Sequence, residues 1–226
     1  MPRAKTTKKQ SPAEAVPEIP KRITLSSFQQ IAWRVIDENS ITILAGEAGC
    51  GKTFLAMDYG IQAIKTNRFS ELVVIRSPLE AGRSRLGFLP GAATAQEKLA
   101  PWCAPILAIA KQLQFGAAIT FLPTCYIQGM TFTDSFVIVD ECQNLDLEEF
   151  EAVTTRLGKG SKICLTGDAH QDTRKMNGMR PYMEATKGIE GIGHYAFPDE
   201  ANQRHPIIRE VTRALRKYRE SRMSHT

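Results

Sequence analysis

The chain has 226 residues, 42% of them hydrophobic, and a formal net charge of +5. That length suits one α/β domain with a full core and leaves little room for a second. No apolar run approaches the roughly 18 residues of a membrane span, and the basic N-terminus lacks the apolar stretch of a signal peptide, which excludes membrane and secreted classes from the expectation. The five cysteines, Cys50, Cys103, Cys125, Cys142 and Cys164, are odd in number and show no Cys-x-x-Cys pair, so they read as reduced thiols in a cytoplasmic protein rather than as a zinc or disulfide framework.

Residues 1–22 carry six Lys or Arg against two Glu and show little apolar periodicity, which predicts a disordered basic arm. Residues 23–226 then form one domain. Leu25 to Glu38 has apolar residues at Phe28, Ile31, Ala32, Val35 and Ile36, the spacing of a helix, with Ser26 or Ser27 as its N-cap. Gln29 lies on this helix, seventeen residues before Gly46. Its amide can both donate to and accept from an adenine edge; a helix-surface glutamine is the plainer reading.

Ile41 to Leu44 is a buried strand by composition, and Phe54 to Thr66 a helix. Between them stands Gly46-Glu47-Ala48-Gly49-Cys50-Gly51-Lys52-Thr53, a full match to G-x-x-x-x-G-K-[ST]. Its glycines let successive N–H groups turn toward phosphate oxygens at a helix N-terminus. Lys52 is expected to reach the β- and γ-phosphates of a nucleotide, and the Thr53 hydroxyl to ligate Mg²⁺. Cys50, inside this loop, is expected to have a lowered thiol pKa and to react with alkylating reagents.

Glu71 to Arg76 is a second buried strand. The stretch Ser77 to Ala93, with three Gly, two Pro and two Arg, reads as a functional loop on the ligand side of an open sheet. Thr94 to Leu113 is helical, with Pro101 and Pro105 expected to bend or split it. A short strand is expected at Thr124 to Ile127. Ser135 to Val139 is a strand that ends in Asp140-Glu141. Asp140 would support Mg²⁺, and Glu141 would act as general base on an attacking water.

Leu147 to Leu157 is helical, and Lys162 to Thr166 is a strand whose tip carries Gly167, Asp168 and Gln171. Tyr195 to Phe197 belongs to a last strand. Pro206 to Arg219 is an amphipathic helix with Ile207, Ile208, Val211, Ala214 and Leu215 on one side. Alternation of strand and helix predicts a mostly parallel sheet of five or six strands covered by helices on both faces.

Three strand tips in sequence, GEAGCGKT, VIVDE and LTGDAHQ, resemble the motif order of superfamily-one helicases. There Gly-Asp-x-x-Gln links the γ-phosphate to nucleic-acid-binding loops, which assigns sensing to Asp168 and Gln171. Leu25-x-x-x-Gln29-x-x-Ala32 resembles their adenine-reading motif, and Gln203-Arg204-His205-Pro206-Ile207 the stretch that sets an arginine against the γ-phosphate. The strings EAGRSRLGFLPG, QEKLAPW, DECQNL, TRLGKGSK, LTGDAHQDTR and QRHPII together resemble the PhoH family of ATPases, over about Leu25 to Tyr218.

The resemblance implies a P-loop NTPase with a RecA-like core, using ATP and Mg²⁺, cytoplasmic, and assembling into homo-oligomeric, hexameric rings that act on single-stranded RNA or another nucleic acid. In such a ring Arg204, or else Arg156, would supply transition-state charge across the subunit boundary. An ATP-dependent switch that binds a protein partner without nucleic acid is the alternative. This chain departs from the family at Gln128-Gly129-Met130-Thr131, where relatives carry an Arg-Gly-Arg-Thr-like string, and at Gly91-Ala92, where Gly-Asp is usual. It resembles a core-only form, of the kind often found in bacteriophages.

Overall fold

The computed structural model describes residues 24–77, 95–169 and 178–223, apart from the side chains of 95–101, 209, 216, 217, 219, 220, 222 and 223. The expected basic arm, most of the Ser77–Ala93 loop, and Gln171 lie outside the described residues. The elements are α1 (Ser27–Glu38), β1 (Ile41–Ala45), α2 (Lys52–Lys65), β2 (Glu71–Arg76), α3 (Ala95–Gln112), β3 (Thr120–Pro123), β4 (Ser135–Asp140), α4 (Leu147–Thr154), β5 (Lys162–Gly167), α5 (Met179–Ala185), β6 (Ile192–Ala196) and α6 (Pro206–Met223).

Six strands pair in the order β3-β2-β4-β5-β1-β6, and every pairing is parallel. The strands are apolar on both faces because both faces are covered. Leu44, Val74, Ile138 and Cys164 point into a core shared with α1, α2 and α3. Ile43, Val73, Val137, Val139 and Leu165 point into a second core, against α4 and α5. A parallel sheet brings all strand C-termini to one edge. The tips of β1, β5 and β4 are therefore neighbours there, although the chain visits them far apart.

Local chemistry explains the helix ends. Ser26 caps α1 reciprocally with Gln29: the Gln29 N–H donates to Ser26 Oγ at 3.3 Å and the Ser26 N–H donates to Gln29 Oε1 at 3.0 Å. At the other end of α1, Lys162 Nζ donates to the carbonyls of Ile36, Asp37 and Asn39, a cation on the negative end of the helix. Burial pushes the Lys162 ammonium pKa down.

Three expectations change. The short strand lies at Thr120–Pro123, and Thr124–Tyr126 forms a single 3₁₀ turn instead. Its β-branched and aromatic residues resemble a strand, but Pro123 ends the pairing with β2. α3 runs unbroken past Pro101 and Pro105. α6 is helical and amphipathic as expected, yet Ile207, Ile208, Val211, Leu215 and Tyr218 remain 40–57% exposed.

Helix α2 is buried nearly all round. At Gly60 it passes so close to the sheet that a Cβ would sit 2.6 Å from Phe136 Cδ1 and 2.8 Å from Leu72 Cδ1. Gly60→Ala therefore overpacks the core. We expect it to lower stability by about 1–2 kcal/mol, the overpacking cost outweighing the gain in helix propensity, read as a reduced urea midpoint at unchanged slope.

Candidate active site

The turn after β1 folds as its glycines require. Gly49 (φ 104°) and Gly51 (φ 83°) have left-handed backbones, and Gly51 is the N-cap of α2. Lys52, the first residue of α2, is buried and donates from Nζ to the carbonyls of Gly46 (2.7 Å) and Glu47 (3.0 Å). The ammonium thus lies within its own loop, at the mouth of a pocket of about 260 Å³ lined by Gly49, Lys52, Thr53, Asp140, Glu141 and Arg204, among others.

Across this pocket stands Asp140, at the end of β4 and 4% exposed. Thr53 Oγ1 donates to its Oδ1 at 2.6 Å, and Thr166 Oγ1 to the same oxygen at 2.9 Å. Arg76 Nε pairs with Oδ2 at 3.3 Å. Sheet register explains the set: Arg76, Asp140 and Thr166 are directly opposed on β2, β4 and β5. Arg76 also donates to the Trp102 carbonyl at 2.7 Å and lies 5.7 Å from the centre of the Trp102 ring, which ties the carboxylate to α3.

A hydroxyl and a carboxylate side by side are hard oxygen donors suited to Mg²⁺. Among the described residues no three His, Cys, Asp or Glu gather into a metal cage.

Glu141 lines the pocket in a left-handed backbone, φ 55° and ψ 42°. It accepts from Gln143 Nε2 at 2.5 Å. Asp168, buried just past β5, lines the same pocket, and its N–H donates to Gln143 Oε1 at 3.0 Å. The pocket thus brings together Gly49, Lys52, Thr53, Asp140, Glu141, Asp168 and Arg204, with Ala48 and Gly51 on its rim.

The arginine expectations separate. Residues after β6 close over the phosphate loop of their own chain: Asn202 Nδ2 donates to the Ala48 carbonyl at 3.3 Å and the Gln203 N–H to that of Gly49 at 3.1 Å. A Cβ on Gly49 would meet Arg204 Cγ at 2.5 Å. Arg204 therefore lines the pocket of its own chain. Arg156 follows α4, and its carbonyl accepts from the Phe132 N–H before β4 begins, at the opposite end of the strands. About 20 Å of strand separates it from the pocket of its own chain, which it does not line.

Gln29 is buried at the start of α1. Its carbonyl is committed to the Ser26 N–H, and its Nε2 lies where a Gly51 Cβ would come within 2.8 Å. Its observed work is to cap α1 and brace the turn into α2. Cys50 corrects the sequence reading. Its thiol is 1% exposed and packs into the core beneath the loop. Burial pushes its pKa up, and the attraction of Lys52 offsets this only in part. No role was expected for Arg76 or Gln143; the sequence signal for Arg76 is its place at a strand tip, and for Gln143 its place in the DECQNL string.

Comparison with known proteins agrees with this geometry. The family model for PhoH-like proteins matches residues 23–216. The chain belongs to the PhoH family. It is 33% identical over 197 residues to the PhoH-like protein of Mycobacterium bovis, covering 82% of this chain and 55% of that one. The PhoH-like protein of Synechocystis is 33% identical over 213 residues, with coverage of 88% and 63%. That of Bacillus subtilis is 34% identical over 191 residues, with coverage of 79% and 59%. The matched region thus spans little more than half of each relative. Among solved structures, the large terminase from a thermophilic bacteriophage superposes with a TM-score of 0.57 at 13% identity, covering 84% of this chain and 50% of that one, a likeness of fold.

Exposure orders the thiols. Cys125 is exposed, whereas Cys50, Cys103, Cys142 and Cys164 are buried. Brief iodoacetamide treatment at neutral pH should label Cys125 and leave Cys50 unmodified, as read by peptide mass spectrometry. Burial raises the Cys50 pKa, so at a given pH its thiolate fraction is below that of an ordinary thiol. Prompt Cys50 labelling in folded protein would contradict the burial.

Proposed function

We propose that this PhoH-family chain binds ATP with Mg²⁺ and hydrolyses it, and that hydrolysis is coupled to binding or unwinding of nucleic acid, single-stranded RNA in the first place. The observation that carries the hydrolytic reading is the meeting of Lys52, Thr53, Asp140 and Glu141 around one pocket from positions up to 89 residues apart.

In this reading the phosphate oxygens take the place of the Gly46 and Glu47 carbonyls as partners of Lys52, and the loop N–H groups hold them. Thr53 and Asp140 hold Mg²⁺, which when bound offsets charge on the β- and γ-phosphate oxygens. Thr166 and Arg76 keep the Asp140 carboxylate in place. Glu141 takes a proton from the attacking water. Arg204 extends from the turn that closes over the loop and offsets charge that develops on the transferred group. Asp168 and Gln171 sense whether the γ-phosphate is present, and Gln29 contributes to adenine preference.

The basic arm, the basic stretch Arg204 to Arg222 and the net charge of +5 support a nucleic-acid partner. The resemblance to the PhoH family directs that partner toward RNA. Assembly into a homo-oligomeric ring and a cytoplasmic location belong to the same reading. α6 carries six Lys or Arg against two Glu, so like faces repel and a head-to-tail contact is favoured over a two-fold one. The exposed apolar side of α6 equally favours the second reading, an ATP-dependent switch that grips a protein partner.

Three measurements decide. Lys52→Ala should lose ATP binding by calorimetry. Glu141→Gln should bind ATP normally and hydrolyse it about 10²–10⁴-fold more slowly. Single-stranded RNA should raise the parent's steady-state ATPase rate. If the rate is indifferent to RNA and DNA, the protein-partner switch is the better account.

A further inference from the structure

The carboxylate assigned to water activation is held by Gln143, two residues after it in the DECQNL string. Gln143 is 4% exposed. Its Nε2 donates to Glu141 Oε2 at 2.5 Å, and its Oε1 accepts from the Asp168 N–H at 3.0 Å. The amide has one orientation that satisfies both partners, nitrogen toward the carboxylate and oxygen toward the N–H.

The backbone is shaped to make this bridge. The left-handed turn at Glu141 leads into a 3₁₀ turn, Cys142–Asn144, which carries residue 143 back toward the strand ends. At the tip of β5, Gly167 approaches this turn closely: a Cβ there would lie 2.6 Å from Cys142 Sγ and 2.9 Å from Gln143 Oε1. A left-handed non-glycine residue and a glycine that admits no side chain thus flank one buried amide.

We propose that Gln143 is a positioning residue, which fixes the Glu141 carboxylate by one oxygen and makes it follow the backbone at Asp168. The proposal rests on the reading of Glu141 as general base. Hydrogen-bonded at Oε2, the carboxylate keeps Oε1 for the proton of the attacking water. Without the amide, the half-buried side chain samples several rotamers, and a base displaced by about 1 Å forfeits up to ~10²-fold in rate. The other end of the bridge is the N–H of Asp168, the first residue past β5. A shift of that backbone moves the amide, and with it the carboxylate.

The test uses the full chain in single-turnover hydrolysis of γ-labelled ATP with enzyme in excess, beside ATP affinity by calorimetry and thermal unfolding to confirm the fold. Gln143→Met keeps length and loses both hydrogen bonds. Gln143→Glu keeps an acceptor for the Asp168 N–H and sets a second carboxylate beside Glu141. Both should hydrolyse ~10–100-fold more slowly, with ATP affinity within about twofold of the parent. In a Glu141→Gln background, Gln143→Met should add no more than about twofold, because its effect passes through that carboxylate.

A Gln143→Glu protein as fast as the parent would reduce the bridge to support of the β5 tip and overturn the proposal. So would a loss from Gln143→Met that is equally large in the Glu141→Gln background, or one that falls on affinity instead of rate. If Gln143→Met does not fold, Gln143→Glu decides alone. If Glu141→Gln itself hydrolyses at the parent rate, the general-base reading falls and takes this proposal with it; a slow Glu141→Gln beside fast Gln143 variants removes the proposal alone.

Discussion

The buried carboxylate of Asp140 is the constraint on which the rest depends. An ionised group at 4% exposure is costly unless its oxygens are paired. Here they are met by hydroxyls from α2 and β5 and by a guanidinium from β2. Each partner comes from a different element, so the carboxylate is satisfied only when β2, β4, β5 and the start of α2 are in their observed register. A slip of one residue in any strand would turn its partner to the opposite face. The same register that buries two apolar cores thus also builds a hydroxyl–carboxylate pair at the sheet edge.

The pocket grows out from that pair. β1 sits beside β5, so its turn delivers Lys52 and Thr53 next to the Asp140 row. The turn after β6, on the other side of β1, folds over the loop and brings Arg204 to the same opening. The described pocket is therefore assembled within one chain, from three strand tips and the segment before α6. Beyond Arg204, the apolar residues Ile207, Ile208, Val211, Leu215 and Tyr218 of α6 stay exposed.

Much of this was legible because its causes are local. A loop of eight residues with fixed glycines, a Lys and a Thr announces phosphate binding without reference to the rest of the chain. β1, β2, β4 and β5 are runs of apolar residues whose ends coincide with a Gly, an Arg or an acid. The less legible parts depend on contacts across the sheet. Arg76 is an ordinary strand-end arginine until register sets it against Asp140, and Gln143 an ordinary polar residue until two tips converge on it. The rotamer of Cys50, into the core instead of toward the loop's mouth, reverses the expected effect on its thiol. Thr124–Tyr126 has strand-like residues but lies past the proline that ends pairing. Arg204 stood out in its QRHPII string, while its place at the pocket follows from the hydrogen bonds that its neighbours Asn202 and Gln203 make to Ala48 and Gly49.

The central claim is that the Thr53–Asp140 pair makes nucleotide binding depend on a divalent ion. Calorimetric titration of ATP into the parent and into Asp140→Asn, each with Mg²⁺ and with EDTA, tests it directly. The account predicts that Mg²⁺ tightens binding at least tenfold in the parent, equivalent to about 1.4 kcal/mol, and that Asp140→Asn loses most of this difference while retaining its binding in EDTA. Equal affinity with and without Mg²⁺ in the parent, or an undiminished Mg²⁺ effect in Asp140→Asn, would contradict it.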